Sequence, residues 1–170
     1  GMCSFSCNLH WKAAAANLPG TKFSDAGGYY DYARGLGAEG VQTSLRGSDE
    51  AKARALRSHV EETGGYFEAD IPLPKEESDL AAFENAVRLA REAGATVARA
   101  VLMGTRRYEV FSSLDEFREF RAAGERRLAM VEPVLKKHRL RLAIENHKDL
   151  LAAELVGLLQ KLDSEWIGAL

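Results

Sequence analysis

The stretch RLAIENHKDL contains an apolar run that ends abruptly in three polar side chains, Glu145, Asn146 and His147. A carboxylate at the end of a buried strand can ligate a hard divalent cation, or remove a proton from a carbon next to a carbonyl. Side chains alternate along a strand, so Glu145 and His147 are expected to face the same side. The alternative is a structural role, in which Glu145 caps the following helix or pairs with a lysine.

Repeated strand–helix units surround this stretch. Strands are predicted at Cys3–Leu9, Val41–Leu45, Tyr66–Ile71, Thr96–Met103, Leu140–Asn146 and Trp166–Leu170. Helices are predicted at Ser24–Leu36, from Ser48 to the Gly64-Gly65 pair, around Leu80–Ala90, from Ser113 onward, and at Leu150–Leu162 with Asp149 as its cap. Pro133 is expected to kink or split the fourth helix near Glu132. Glu145 therefore stands at the end of the fifth predicted strand.

Strands that alternate with helices form a mostly parallel sheet, because a helical crossover returns the chain in the same direction. An open doubly wound sheet and a (β/α)8 barrel both fit this pattern. No glycine-rich phosphate loop follows any strand, which weakens a nucleotide-binding open sheet. Since a full barrel needs about 250 residues, residues 2–170 are expected to form a single α/β-barrel domain. It would be C-terminally incomplete, with only the first five βα units plus the sixth strand.

The composition is that of a globular protein, with 46% hydrophobic and 28% charged residues. A net charge of -2 and a pI near 6.1 give no reason to expect nucleic acid or an anionic membrane as a partner. Cys3 and Cys7 would lie about 13 Å apart in a strand, too far for a disulfide. Their presence as free thiols would suit a cytoplasmic location.

Several segments together resemble one known family. They are LGAEGVQ at the second strand, IPLP after the third, YEVFSSLDEFREF, PVLKKHRLRLAIENH, and LAIENHKD followed by a helix and LDSEWIGAL. The sequence is similar to the sugar phosphate isomerase/epimerase family, whose fold is the xylose isomerase-like TIM barrel. The resemblance covers most of the chain, and IENH at the fifth strand is its most specific piece.

The resemblance implies a single divalent metal (Mn, Mg, Co or Zn) at the barrel mouth, bound by Glu, Asp, His and Glu from late strands. Only the first of these ligands has a counterpart here, at Glu145. The second belongs to a DTGN-like segment just past the sixth strand, and this chain ends at Leu170. A lone carboxylate is a poor site for a cation that takes about six ligands. The 170-residue chain alone is therefore expected neither to bind the metal tightly nor to turn over.

The function that the resemblance implies is metal-dependent isomerisation or epimerisation of a sugar, a sugar phosphate or a related polyol or keto-sugar. Glu145 would be both metal ligand and catalytic acid/base, moving a proton next to a metal-polarised carbonyl. His147 would hydrogen-bond a substrate hydroxyl. The partner would be a small-molecule carbohydrate, and homo-oligomerisation is left open.

Other residues are weaker candidates for substrate binding. His10 and Trp11, at the end of the first predicted strand, suit a sugar ring, although a core-plugging loop would also explain them. Arg106, with its neighbour Arg107, follows the fourth strand and could bind a phosphate or carboxylate, with a solvated loop as the alternative. Arg99 would need a carboxylate partner such as Glu68 or Asp70 if it faces inward.

Three other functions compete with the isomerase hypothesis. An inosose-type dehydratase would use the same barrel and the same proton abstraction. A non-catalytic fragment or binding module would need no active site. An abasic-site endonuclease of the same superfamily is less favoured, because four histidines and a net charge of -2 suit neither a zinc cluster nor a DNA-binding groove.

Overall fold

A computed structural model describes all 170 residues, Gly1–Leu170. The six strands are β1 (Met2–Cys3), β2 (Gly40–Thr43), β3 (Tyr66–Asp70), β4 (Val97–Val101), β5 (Arg141–Glu145) and β6 (Ile167–Ala169). In chain order β1, β2 and β3 pair in parallel, as do β4, β5 and β6, and helices alternate with the strands along the chain. The α/β fold predicted from the alternating pattern is confirmed.

Seven α-helices accompany the strands. They are α1 (Asn8–Ala15), α2 (Ala26–Gly35), α3 (Glu50–Glu62), α4 (Leu80–Glu92), α5 (Arg107–Val110), α6 (Leu114–His138) and α7 (Ala152–Leu162). Asp25, Asp49 and Ser113 cap α2, α3 and α6, each accepting a backbone N–H of the first helical turn. The helix predicted to start at Ser48 begins at Glu50, with Asp49 as its cap. None of the helices is both long enough and apolar enough to cross a membrane.

The predicted first strand, Cys3–Leu9, is wrong beyond its first residue. The chain leaves β1 at Cys3, forms a 3₁₀ turn over Ser4–Cys7 and then continues as α1. Cys3, Phe5, Cys7 and Leu9 alternate with polar residues, which is the pattern of a half-buried strand, but Phe5 and Leu9 are 79% and 83% exposed. The alanine-rich end of α1 explains the difference, because alanine has the highest helix propensity and the alternation is only four positions long.

Two predictions about helix ends are also corrected. Pro133 does not split the fourth predicted helix, since α6 runs through it as one element of 25 residues, and the alternative of a kink stays a prediction. Asp149 does not cap the fifth, because α7 begins at Ala152 and is preceded by Leu151. The backbone N–H of Leu151 donates instead to the Glu154 carboxylate at 2.8 Å. Asp149 is therefore available for another role.

The chain divides into two compact units. The first comprises residues Gly1–Asp70 and Arg88–Thr96, and contains β1, β2 and β3. The second comprises Ile71–Val87 and Val97–Leu170, and contains β4, β5 and β6. The second unit carries Glu145, and its core includes leucine, isoleucine and valine side chains of β5 and α6. The register of β4 against β5 pairs Val101 with Glu145 and so fixes the height at which this carboxylate leaves the sheet.

Candidate active site

Glu145 lies at the end of β5, at the point where the strand leaves the core. Leu142, Ala143 and Ile144 are all buried, so both faces of β5 are covered up to the residue before Glu145. Such a strand reads as a continuous apolar run, as parallel sheets require. The first polar side chain after the run is therefore held by a rigid, buried strand.

The Glu145 carboxylate forms an ion pair with Arg99 on the neighbouring strand β4. The Arg99 Nε donates to Glu145 Oε2 at 2.5 Å, and the two side chains are 17% and 31% exposed. Arg99 pairs with Ala143 in the register of β4 and β5. Ala143 precedes Glu145 by two residues, so the side chains of Arg99 and Glu145 lie on the same face of the sheet. The expectation that an inward Arg99 needs a carboxylate is confirmed, and Glu145 is a partner that the sequence did not identify.

This ion pair controls the ionisation of Glu145. The hydrogen bond from Arg99 lowers the pKa of the Glu145 carboxyl below its usual 4.5, against the opposing effect of partial burial. The charges of Arg99 and His147 lower that pKa further. Glu145 is consequently a carboxylate at neutral pH, the form that accepts a proton.

The turn after β5 is fastened by side-chain hydrogen bonds. The Asn146 amide donates to the Leu150 carbonyl at 2.8 Å, and its oxygen accepts the Leu150 N–H at 3.3 Å. Lys148 adopts a left-handed backbone conformation with φ of 66°, and its carbonyl accepts the Arg107 N–H at 3.2 Å. Asn146 is thus structural, whereas the His147 Nδ1 is buried without a hydrogen-bond partner.

Asp149 is a titratable group that the sequence reasoning missed as a site residue. Its side chain is 1% exposed, and Oδ1 accepts the Leu150 N–H at 3.1 Å. Oδ2 is buried without a partner. Burial raises the pKa of the Asp149 carboxyl above 3.8, although nearby backbone N–H groups and His147 oppose the shift. Its position four residues after Glu145, in the same polar turn, is the signal that could have identified it.

The arginines after β4 have local partners. Arg106 is exposed and its Nη1 contacts Glu109 Oε1 at 3.0 Å. Arg107 pairs with Glu154 at 3.0 Å, and its guanidinium lies 3.5 Å from the centroid of the Phe117 ring. Substrate binding by Arg106 stays a prediction. Its side chain belongs to the second unit, as do Glu145 and His147.

His10 and Trp11 belong to the first unit and lie on α1, not at a strand end. The His10 Nε2 accepts the backbone N–H groups of Lys22 and Phe23 at 2.9 and 3.3 Å. The His10 ring stacks on Phe23 at 3.9 Å, and Trp11 meets the same ring edge-on at 4.8 Å. Because Nε2 is already used, a substrate contact by His10 would have to come from Nδ1, and the proposed sugar contacts stay predictions.

The residues of this chain do not fit a divalent metal site. No group of three or more His, Cys, Asp or Glu side chains is placed to hold an ion. Glu145 is the one predicted ligand, and the Arg99 guanidinium already lies against its carboxylate. A hard cation takes about six oxygen ligands, so one carboxylate with a positive neighbour does not provide a site.

Parallel strands that alternate with helices define an α/β fold, and Glu145 lies at the end of the fifth strand. Solved structures show which α/β fold this is. The chain matches D-psicose 3-epimerase determined in the presence of D-fructose, with a TM-score of 0.67 and 16% identity over 83% of this chain and 55% of that one. It matches a xylose isomerase domain protein from Alicyclobacillus acidocaldarius, with a TM-score of 0.61 and 20% identity over 84% and 56% of the two chains.

A third solved structure contains a metal. It is a xylose isomerase-like TIM barrel protein from Mycobacterium smegmatis in complex with magnesium, with a TM-score of 0.59 and 16% identity over 87% of this chain and 57% of that one. No protein-family model and no curated protein matches the sequence. The chain spans little more than half the length of these solved structures. The resemblance expected from the sequence is confirmed at the level of the fold, the xylose isomerase-like barrel.

Proposed function

We propose that the protein is a sugar isomerase or epimerase in which Glu145 transfers a proton at the carbon next to a carbonyl. The observation that carries the proposal is the ionised Glu145 carboxylate, held at the end of β5 by Arg99. The fold supports it, because D-psicose 3-epimerase has the same arrangement of strands and helices over most of this chain. Active sites of such barrels lie at the carboxyl ends of the strands.

Three residues of this chain, Glu145, Arg99 and His147, have a role in the proposed reaction. Glu145 accepts the proton from the substrate carbon. In an isomerisation it returns the proton to the neighbouring carbon, whereas in an epimerisation solvent water delivers a proton to the opposite face and the proton on Glu145 passes to the hydroxide left behind. The Arg99 guanidinium lies beside the carboxylate, where negative charge develops on the substrate oxygen, and stabilises it. His147 hydrogen-bonds a substrate hydroxyl.

A divalent metal belongs to the proposal only as the cofactor expected for this fold, one member of which binds magnesium. When bound, such an ion polarises a carbonyl. Glu145 is the one residue of this chain proposed to contact it, and no step is assigned to the ion. A small-molecule carbohydrate substrate, a cytoplasmic location and the state of oligomerisation are likewise predictions.

Deuterium uptake tests the role of Glu145. D-Fructose is incubated with the 170-residue chain in D2O, and loss of the C-1 and C-3 proton signals is followed by NMR. The 170-residue chain is not expected to turn over without a metal site, but removal and return of a proton needs only the carboxylate, so we expect slow exchange above the buffer rate without conversion of the sugar. Glu145→Gln should reduce the part of the exchange rate that exceeds the buffer rate by about 100-fold or more, the usual contribution of a general base.

The matched control is Glu165→Gln, an exposed glutamate of the same unit, which should leave the exchange unchanged. Exchange at the buffer rate in the wild-type chain would contradict the proposal. Full exchange in Glu145→Gln would contradict the assignment of this residue. Uptake at C-1 would indicate an aldose–ketose isomerase, and uptake at C-3 an epimerase.

A further inference from the structure

A pocket of about 550 Å³ lies within the second unit, between the segments that follow the two strands of the candidate active site. Its walls come from residues 107–117, which follow β4, and residues 148–151, which follow β5. The two strands that carry Arg99 and Glu145 therefore also deliver the walls of the pocket. The volume falls within the range of roughly 300–1,000 Å³ that is typical of small-molecule sites.

One side of the pocket is aromatic and apolar. Tyr108 is 70% exposed, and its ring makes no stacking contact with another aromatic residue. Phe111 packs against Phe117 with ring centroids 5.6 Å apart, and Leu114 and Leu151 are also largely exposed. Large apolar side chains gathered at one exposed pocket indicate a surface that a ligand covers.

The other side of the pocket is polar. Lys148 is exposed and its ammonium makes no hydrogen bond or ion pair, while its left-handed backbone is held in place by the turn. Asp149 lines the same pocket, and its Oδ2 lacks a partner. A buried acceptor left unpaired costs free energy that a donor from a ligand would offset.

The charges in the pocket favour a neutral ligand over an anion. The charge of Arg107 is compensated by Glu154 at 3.0 Å, and Glu154 also lies 3.6 Å from Arg121. An anion would instead meet the carboxyl of Asp149. A hydroxyl can donate to that carboxyl and also accept from the Lys148 ammonium, since a hydroxyl has both capacities.

We propose that this pocket binds a second sugar ring, so that the substrate is a glycosylated ketose and not a free monosaccharide. One ring lies at Glu145, and the other stacks on Tyr108 with its hydroxyls at Lys148 and Asp149. His147 stands between Glu145 and Asp149 in the turn that follows β5, so a single short segment carries groups of both positions. The inference rests on the proposed sugar chemistry at Glu145.

Binding of two probe sugars tests the inference. Lactulose is a disaccharide with a ketose ring, and D-fructose is the matching monosaccharide. Dissociation constants for the 170-residue chain are measured by saturation-transfer NMR, which also reports which ring contacts the protein. We expect lactulose to bind about tenfold more tightly than D-fructose, with saturation of both rings.

Two variants localise the second ring. Tyr108→Ala and Lys148→Met should each bring the affinity for lactulose close to that for D-fructose. Both side chains are exposed, so the fold should be kept. The matched controls are Phe5→Ala and Lys12→Met, an exposed aromatic residue and an exposed lysine of the first unit, which should change nothing.

Equal affinity for the two sugars, absence of binding, or tight lactulose binding that neither variant weakens would each overturn the inference. The outcome is separable from that of the proposed function. Exchange that depends on Glu145, together with equal sugar affinities, would retain the proton transfer and remove the second-ring pocket. Selective lactulose binding without any exchange would retain the pocket and remove the catalytic assignment.

Discussion

The pairing of Arg99 with Glu145 determines both the charge and the position of the candidate catalytic group. We predict that Arg99→Met raises the pKa of Glu145, because the hydrogen bond from Arg99 is the largest cause of its lowered value. The pair is largely shielded from solvent, so its loss should lower the free energy of unfolding by about 1–3 kcal/mol. Carbon-13 NMR titration of the Glu145 carboxyl and urea unfolding measure the two effects.

The pH dependence of stability follows from the direction of the Glu145 shift. A folded pKa below the usual 4.5 contributes stability above that pH, and the contribution is lost as the pH falls through the folded value. Arg99→Met should remove this contribution. Arg118→Met breaks a largely exposed pair with Asp115 and should change stability by less than about 1 kcal/mol. An unshifted Glu145 titration in Arg99→Met would contradict the assignment.

The pKa of Asp149 is shifted upward, in the direction opposite to that of Glu145. Burial raises its folded pKa above 3.8, so its contribution to stability is present at low pH and is lost as the pH rises through the folded value. We predict that Asp149→Asn is more stable relative to the wild type at pH 7 than at pH 4. Urea unfolding across this range measures the difference. A difference that is independent of pH would show that Asp149 titrates like an exposed carboxyl.

At the scale of the elements, the strands and helices that have a clear local sequence pattern were predicted correctly. The β4 and β5 strands were found within two residues at each end, because each is a short apolar run bounded by helix ends. The first strand failed because alternation over a few residues is a weak signal, which the helix propensity of the following alanines overrides.

The candidate site was predictable in part for the same reason. Glu145 could be identified because it ends a buried strand, which local sequence reveals. Its pairing with Arg99 joins residues 46 positions apart through the register of β4 and β5, and no local pattern encodes that register. The position of Asp149 four residues after Glu145 could have indicated a site residue, but its burial depends on the segments that pack around it, which no local pattern encodes.

Helix α6 contains a proline in its interior, although proline disfavours that position. Pro133 lies in its interior, where it has no N–H to donate to the carbonyl four residues earlier. We predict that Pro133→Ala raises the free energy of unfolding by about 1–2 kcal/mol, because alanine restores that hydrogen bond. Urea unfolding of the two proteins measures the change.

The control for this prediction has the opposite expected sign. Pro72 is exposed in the loop after β3, and Pro72→Ala should lower stability by about 0.4–1 kcal/mol because it increases the freedom of the unfolded chain. A loss of stability in Pro133→Ala as well would mean that the packing of the proline ring outweighs the missing hydrogen bond.

At the scale of the whole molecule, fold and activity are separable. The solved structures share this fold at only 16–20% sequence identity. A similar pattern of buried apolar residues is enough to maintain a fold at that level of identity. Activity depends on a few side chains, and the same fold supports many functions. The protein therefore has to be assigned from the groups around Glu145, and the first question is whether those groups bind a cation.

A manganese titration answers that question. We predict that the 170-residue chain binds Mn²⁺ more weakly than about 1 mM, because a cation that takes about six ligands would find one carboxylate there, already paired with Arg99. Calorimetry on the wild type and on Glu145→Gln should give the same weak signal. Micromolar binding that is lost in Glu145→Gln and strengthened in Arg99→Met would contradict the prediction. It would mean that the ion displaces the guanidinium, so that Arg99 holds the carboxylate in position until a metal arrives.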